Sequence, residues 1–319
     1  MKLKVLITAP YFQPVVEKYR SFFDSHNIET ITPQVKERMS EQELLKFKGI
    51  EEIDGIICGD DEITKAIFEK AKSLKVISKW GTGISSIDLK EAARRGVPVK
   101  NTPDAFTDAV ADTVLGFILC FARRIPWVDE KIRQGLWQKE PGLSLKECTL
   151  GVIGVGNIGQ AVIKRAKAFK IHLLGNDIKE VPSDFVRETG LEVVSLEHLL
   201  RESDFISLNC DLNPTSHHLL CEKTFSLMKP TAFLINTARG SVVDEEALIS
   251  ALSLKKIAGA ALDVFENEPL PANSPLRDFS NVLLSSHNAN ASPSAWEKVH
   301  KNTLDNLIEE LSKHQNLKD

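Results

Sequence analysis

The sequence predicts an α/β fold, and three observations carry that reading. Short apolar runs at residues 4–7, 54–58, 74–78 and 97–100 alternate with amphipathic stretches at 15–25, 63–73 and 87–95. Alternation of this kind indicates parallel βα units. The rhythm returns further on, with strands expected near Leu150, at 171–175, near Val193, and at 205–208, 232–235, 257–262 and 282–284. Finally, a chain of 319 residues is long enough for two domains with sizeable cores.

Composition narrows the class. Hydrophobic residues make up 42% and charged residues 26%, as in an ordinary soluble globular protein. A formal net charge of −4 gives no electrostatic case for nucleic acid or for an anionic membrane. The longest apolar run, 114–122, falls short of the ~20 residues of a membrane span. Residues 1–8 look superficially like a signal peptide, but the apolar part is short and Pro10 and Tyr11 follow, so they read as the first strand. The five cysteines are scattered and include no Cys-x-x-Cys pair, which suits reduced thiols in a cytoplasm.

Each element then has a local reason. The loop at 78–88, Ser78-Lys79-Trp80-Gly81-Thr82-Gly83-Ile84-Ser85-Ser86-Ile87-Asp88, follows a strand directly. Paired glycines at a strand's carboxyl end expose N–H groups to a small anion, which makes Gly81, Thr82 and Gly83, with Trp80, candidate substrate contacts. Asn101-Thr102-Pro103 punctuates the chain, and 105–123 reads as a long helix too apolar for a single wet face, suited to an inter-domain spine. The arm at 124–141 carries Trp127 and Trp137 among charges, the pattern either of a subunit interface or of local packing. Prolines 269, 271 and 275 mark a loop, and 295–314 reads as a closing helix.

The stretch that organises the chain is 149–160. An apolar strand leads into Gly154-Val155-Gly156-Asn157-Ile158-Gly159, and a helix is expected over 161–170. In this context G-x-G-x-x-G is a dinucleotide fingerprint. Gly154 permits the tight turn, Gly156 admits the pyrophosphate, and Gly159 lets helix and strand approach. The helix N-terminus turns unpaired N–H groups towards the phosphates, so Asn157 and Ile158 join the candidate contacts. Asp177 follows the next strand at the spacing of an acid that accepts both ribose hydroxyls.

Three further spots lie just after predicted strands. Ile235-Asn236-Thr237-Ala238-Arg239-Gly240 places a guanidinium at a sheet edge, where it can grip a carboxylate with two hydrogen bonds. Asp263-Val264-Phe265-Glu266-Asn267-Glu268-Pro269 supplies carboxylates, and Ser285-Ser286-His287-Asn288-Ala289-Asn290 supplies an imidazole. An arginine to hold an acid, a histidine to move a proton and a carboxylate to orient it form a set for oxidising a 2-hydroxy acid. His217-His218 with Cys221 has no second clustered pair, so no metal is expected. Cys210 reads as packing beside the nucleotide groove.

In these motifs and in their order, with Met228-Lys229-Pro230 added, the chain resembles the D-isomer-specific 2-hydroxyacid dehydrogenases over essentially its whole length. The resemblance implies two Rossmann-like domains with parallel sheets and an active-site cleft between them. The substrate domain would be discontinuous, 1–104 plus 289–319, with 105–288 as the NAD-binding domain. It assigns catalysis to Arg239, Glu268 and His287, nicotinamide contacts to Ala238 and Asp263, and the ribose acid to Asp177. It also implies NAD as cofactor, a small 2-hydroxy or 2-keto acid as substrate and a homodimer. With no long segment after the closing helix, a phosphoglycerate dehydrogenase-like form lacking a C-terminal regulatory domain is expected.

Two departures bear on substrate. The family's usual Pro-His-Ile-Gly is Ser286-His287-Asn288-Ala289 here. Where better-known phosphoglycerate dehydrogenases have an arginine, Gly59-Asp60-Asp61-Glu62 stands instead with no arginine adjacent, leaving Lys79 and Lys100 as cations. Three acids would repel a substrate phosphate unless they point away. 3-Phosphoglycerate stays among the candidates, beside a glyoxylate or hydroxypyruvate reductase and a non-catalytic NAD-sensing protein of the corepressor kind.

Overall fold

The computed structural model describes residues 2–315. The chain divides into two compact units, the first running to Phe106 and resuming at Ser292, the second spanning Thr107–Ala291.

The first unit is a five-stranded sheet of β1 (Leu3–Ile7), β2 (Ile28–Ile31), β3 (Gly55–Cys58), β4 (Val76–Lys79) and β5 (Val99–Lys100). The order is β2-β1-β3-β4-β5 and every pairing is parallel. Parallel sheets need both faces covered, and Gly55-Ile56-Ile57-Cys58 is accordingly buried along its whole length. One face is covered by the final helix, Pro293–Gln315, through Val299, Leu304, Leu307 and Leu311. Polar ties reinforce this packing: Ser78 Oγ donates to the Thr303 carbonyl (2.7 Å) and Asn306 Nδ2 to that of Asn101 (3.0 Å). The expected helix at 15–25 breaks into a 3-10 segment, Gln13–Tyr19, and a short α-helix, Arg20–Ser25; Pro14 stands in the first turn of the 3-10 segment.

Of the acids at 60–62, Asp61 points inward and is fully buried. Its carboxylate accepts from Thr8 Oγ1 (2.6 Å), Gly59 N (2.9 Å) and Met39 N (2.6 Å). Burial pushes its pKa up, and those three donors pull it back. Asp61 thus ties two loops to β1. Asp61→Ala should destabilise the protein by on the order of 3 kcal/mol, because buried donors lose their acceptor. A urea-melt midpoint unchanged from wild type would contradict this.

The second unit is a seven-stranded parallel sheet of β6 (Thr149–Ile153), β7 (His172–Asn176), β8 (Glu192–Val193), β9 (Phe205–Leu208), β10 (Phe233–Asn236), β11 (Gly259–Leu262) and β12 (Val282–Leu284). Its order is β12-β11-β10-β9-β6-β7-β8. The chain reverses direction across the sheet beside β6, the place where doubly wound folds bind nucleotides. The long apolar helix, Thr107–Arg123, spends its buried face within this unit. It packs on the helix Asn157–Lys167, and Phe121 stacks on Phe233 (4.4 Å). Trp127 turns out to be local packing: it stacks on Phe121 (5.5 Å) and donates to the Ser280 carbonyl (2.8 Å). Trp137 is 91% exposed.

Candidate active site

The nucleotide loop is built by a turn that only glycine makes comfortably. Gly154 has φ +89°, and a Cβ there would lie 2.6 Å from the Cys210 nitrogen. The chain then enters the helix Asn157–Lys167, whose N-terminus has no side-chain cap and no acidic residue in its first turn. Around an added Cβ at Gly156 nothing lies within 4 Å. An uncapped, positive helix end beside open space fits a pyrophosphate. Asp177 is half-buried just beyond β7 and holds the loop as well, its Oδ2 accepting from Val155 N (2.6 Å) and its Oδ1 from Lys179 N (2.8 Å). These residues therefore fit NAD. Cys210 packs against the core here, and burial pushes its thiol up to about 11, so it is no nucleophile.

At the carboxyl end of β10, the buried Asn236 shapes the turn that presents Arg239. Its Oδ1 accepts from Ala238 N (3.0 Å) and its Nδ2 donates to the Arg239 carbonyl (3.1 Å). Arg239 is half-buried and donates to the Ala238 carbonyl (2.7 Å). Gly240 lets this turn lie against the next loop, since an added Cβ would meet the Phe265 carbonyl carbon at 1.9 Å. That next loop carries Glu268.

Glu268 faces two ways. One oxygen accepts from Phe265 N (3.0 Å), and the other sits 3.0 Å from His287 Nδ1. A carboxylate at Nδ1 favours the proton on that nitrogen. His287 has φ +53°, a conformation rare outside glycine. Asp263 holds it there. The Asp263 carbonyl accepts from His287 N (2.8 Å), and its carboxylate oxygens accept from Asn288 N (2.8 Å) and Ala289 N (3.0 Å). Sequence reasoning gave Asp263 only a nicotinamide contact. Its three-bond hold on the histidine loop was missed, because no side-chain pattern records bonds to backbone N–H groups.

In the first unit, Trp80 is buried, and its indole N–H donates to His300 Nδ1 (2.9 Å). Burial lowers the pKa of His300, which keeps that nitrogen an acceptor. The side chain of Trp80 belongs to an aromatic cluster with Tyr11 and Trp296. The loop beyond it is tied to residues 101 and 102: Thr102 N donates to the Gly81 carbonyl (3.0 Å) and Asn101 Nδ2 to that of Thr82 (2.6 Å). Gly83 is partly exposed in the same loop. Folding also brings an arginine to the acidic segment that sequence adjacency did not show, Arg38, 3.6 Å from Glu62. Lys100 is neutralised by Glu310 (3.0 Å), and Lys79 pairs with Asp60 (3.1 Å). His218 bonds Glu266 (2.7 Å). Among the described residues no group of three or more His, Cys, Asp or Glu could hold a metal, and no helix is long and apolar enough to cross a membrane.

Comparison with known proteins identifies the family. Residues 115–289 match the family profile described as D-isomer specific 2-hydroxyacid dehydrogenase, NAD binding domain. A glyoxylate reductase of Thermofilum pendens is 42% identical over 276 residues, covering 84% of this chain and 81% of that protein. A D-3-phosphoglycerate dehydrogenase of Methanocaldococcus jannaschii is 36% identical over 288 residues, 89% of this chain but 53% of that protein. The crystal structure of a D-lactate dehydrogenase from Aquifex aeolicus, complexed with NAD and lactic acid, superposes with a TM-score of 0.87 at 26% identity, covering 98% of this chain and 96% of that one. This chain belongs to the D-isomer specific 2-hydroxyacid dehydrogenase family.

Proposed function

We propose that this NAD-dependent D-2-hydroxyacid dehydrogenase acts on a small unphosphorylated 2-keto acid of the glyoxylate and hydroxypyruvate type. The observation that carries the chemistry is the His287–Glu268 hydrogen bond on a loop anchored by Asp263. When bound, NAD accepts or supplies the hydride at C2. Asn157, Ile158 and the glycines around them hold its phosphates, Asp177 its ribose, and Ala238 and Asp263 lie at the nicotinamide end. Arg239 pairs with the substrate carboxylate, and in the first unit the N–H groups of Gly81, Thr82 and Gly83 are candidate contacts for a small acid. His287 Nε2 takes the hydroxyl proton in oxidation and returns it to the keto oxygen in reduction, while Glu268 fixes the ring.

The substrate class rests on charge and on relatedness. Arg38, Lys79 and Lys100 are each paired with an acid, so no unbalanced cation among them is available for a phosphate. Relatives named glyoxylate reductase align over most of their own length. A panel of glyoxylate, hydroxypyruvate, pyruvate and phosphohydroxypyruvate with NADH tests the reading, and preference for the phosphorylated acid would refute it. On cofactor choice, Asp177 should repel a 2′-phosphate. We expect NADH to be preferred over NADPH, with Asp177→Ala narrowing the ratio of efficiencies about tenfold. Equal efficiency of wild type with NADPH would contradict this.

We further place the enzyme in the cytoplasm as a homodimer. All five cysteines are free. Ile125, Ile132, Leu136, Trp137 and Leu143 expose apolar surface along one arm, as a subunit interface would. Light scattering on the purified protein gives the mass, and a monomer would remove the dimer from the proposal.

A further inference from the structure

We propose, resting on the activity just assigned, that His218 and Glu266 are positioning residues for the reaction, locking the Arg239 turn to the loop that carries Glu268. Both belong to the second unit, as do the groups they position. The sequence pair His217-His218 is used by neither the cofactor contacts nor the acid–base set described above. His218 lies in the segment after β9 and takes φ +49°, a left-handed conformation unfavourable for any residue but glycine. It is held there from two sides. Its backbone N–H donates to the Ser241 carbonyl (2.9 Å), and its ring Nε2 lies 2.7 Å from Glu266 Oε1. An ionised carboxylate only accepts, so Nε2 is the donor. The ring also stacks on that of His217 (4.0 Å between centroids).

One residue thereby bonds to both segments that carry the chemistry. Ser241 stands in the 3-10 turn Gly240–Val242 that directly follows Arg239. The chain beyond His218 runs along the same turn, with Leu220 N donating to the Val242 carbonyl (3.1 Å) and Asp244 N to that of Leu220 (2.8 Å). Glu266 stands on the Glu268 loop, where Glu268 accepts from Phe265 N (3.0 Å) and meets His287 (3.0 Å). Turn and loop already touch, since a Cβ added at Gly240 would lie 2.4 Å from Glu266 N. Close approach alone does not fix how one slides along the other; a directional bond does. Glu266 also needs the donor. Its N–H donates to Glu245 (3.3 Å), and burial, helped by the Glu266 charge, pushes the Glu245 carboxyl up. Without the His218 ring these two acids repel, which draws Glu266 from the turn and shifts Glu268 beneath His287.

The test is keto-acid reduction kinetics and NADH titration on the full-length wild type, His218→Ala, His218→Gln, Glu266→Ala and the double variant His218→Ala/Glu266→Ala. His218→Ala should lower kcat about tenfold through Glu268 and raise the keto-acid KM about threefold through Arg239, less than the cost of a full 1 Å displacement. NADH affinity should stay within about twofold, because the Gly154 turn and Asp177 share no partner with His218. His218→Gln bears the same φ cost as alanine but returns a donor to Glu266, so it should recover most of the lost kcat. Glu266→Ala breaks the same bond and should lose kcat in the same direction. The double variant should therefore be no worse than His218→Ala alone. Should His218→Ala fail to fold, Glu266→Ala reads the same bond at a side chain 29% exposed. Unmoved kcat and KM, a glutamine variant no better than alanine, losses that multiply in the double variant, or NADH affinity falling in step with kcat would each overturn the positioning role. A wild type inert towards every keto acid would instead refute the activity reading, and the positioning role with it.

Discussion

His287→Ala is expected to lower turnover of the preferred keto acid by roughly 10³-fold, the usual worth of a positioned acid–base group, while NADH affinity changes by less than about twofold. The two effects separate because different elements are responsible. The nucleotide is assigned to the turn at Gly154, the uncapped helix N-terminus and Asp177, all between β6 and the residues just after β7. The imidazole sits after β12 and is held by Glu268 from the loop after β11. Glu268→Gln keeps the shape and loses the charge, so a smaller loss of roughly 10–100-fold in kcat should follow. Single-turnover rates and a fluorescence titration with NADH provide both readouts. Turnover of His287→Ala within tenfold of wild type would remove the histidine from the chemistry.

Asp263→Ala should be the next most damaging change, and by another route. It leaves the N–H groups of Asn288 and Ala289 without their acceptor, worth about 2–4 kcal/mol of stability together. It also frees His287 to leave its positive-φ conformation, and displacement of an acid–base group by about 1 Å costs on the order of 10²-fold in rate. Asp263→Asn, which keeps one acceptor oxygen, should fall between. The fall should appear in kcat at saturating NADH and substrate. If NADH affinity collapses while saturated turnover stays near wild type, Asp263 serves the cofactor and not the loop.

The same anchor accommodates Ser286-His287-Asn288-Ala289 despite its departure from the family's usual tetrapeptide. Asp263 addresses backbone N–H groups, which are present whatever side chains follow the histidine.

What could be read from the sequence was mostly what a single segment encodes. The nucleotide turn was legible because its glycines answer to local geometry, and the Arg239, Glu268 and His287 positions because each follows an apolar run that forms a strand. The edge strand Ile28–Ile31 was missed because four residues give too little alternation. The helix Glu41–Lys46 did carry a signal, the reciprocal cap between Ser40 and Glu43. Contacts between segments were not legible. Asp60, Asp61 and Glu62 are consecutive acids in the sequence, yet one pairs with a buried lysine, one is buried under three donors and one meets Arg38. Trp127 and Trp137 likewise look alike on one arm, and the stack on Phe121 and the bond to the Ser280 carbonyl set Trp127 apart.

The closing helix also has a consequence for biosynthesis. The bond between Ser78 and Thr303 joins groups 225 residues apart, so β3 and β4 leave the ribosome long before their cover is made. At ordinary translation speeds that interval is roughly 10–45 s. The second unit is contiguous and can complete its sheet meanwhile, whereas the first waits with an apolar face wet. Nascent chains halted before Ser292 should therefore hold a protease-resistant second unit beside a protease-sensitive first one, and should recruit chaperones through the face that Val299, Leu304, Leu307 and Leu311 later cover.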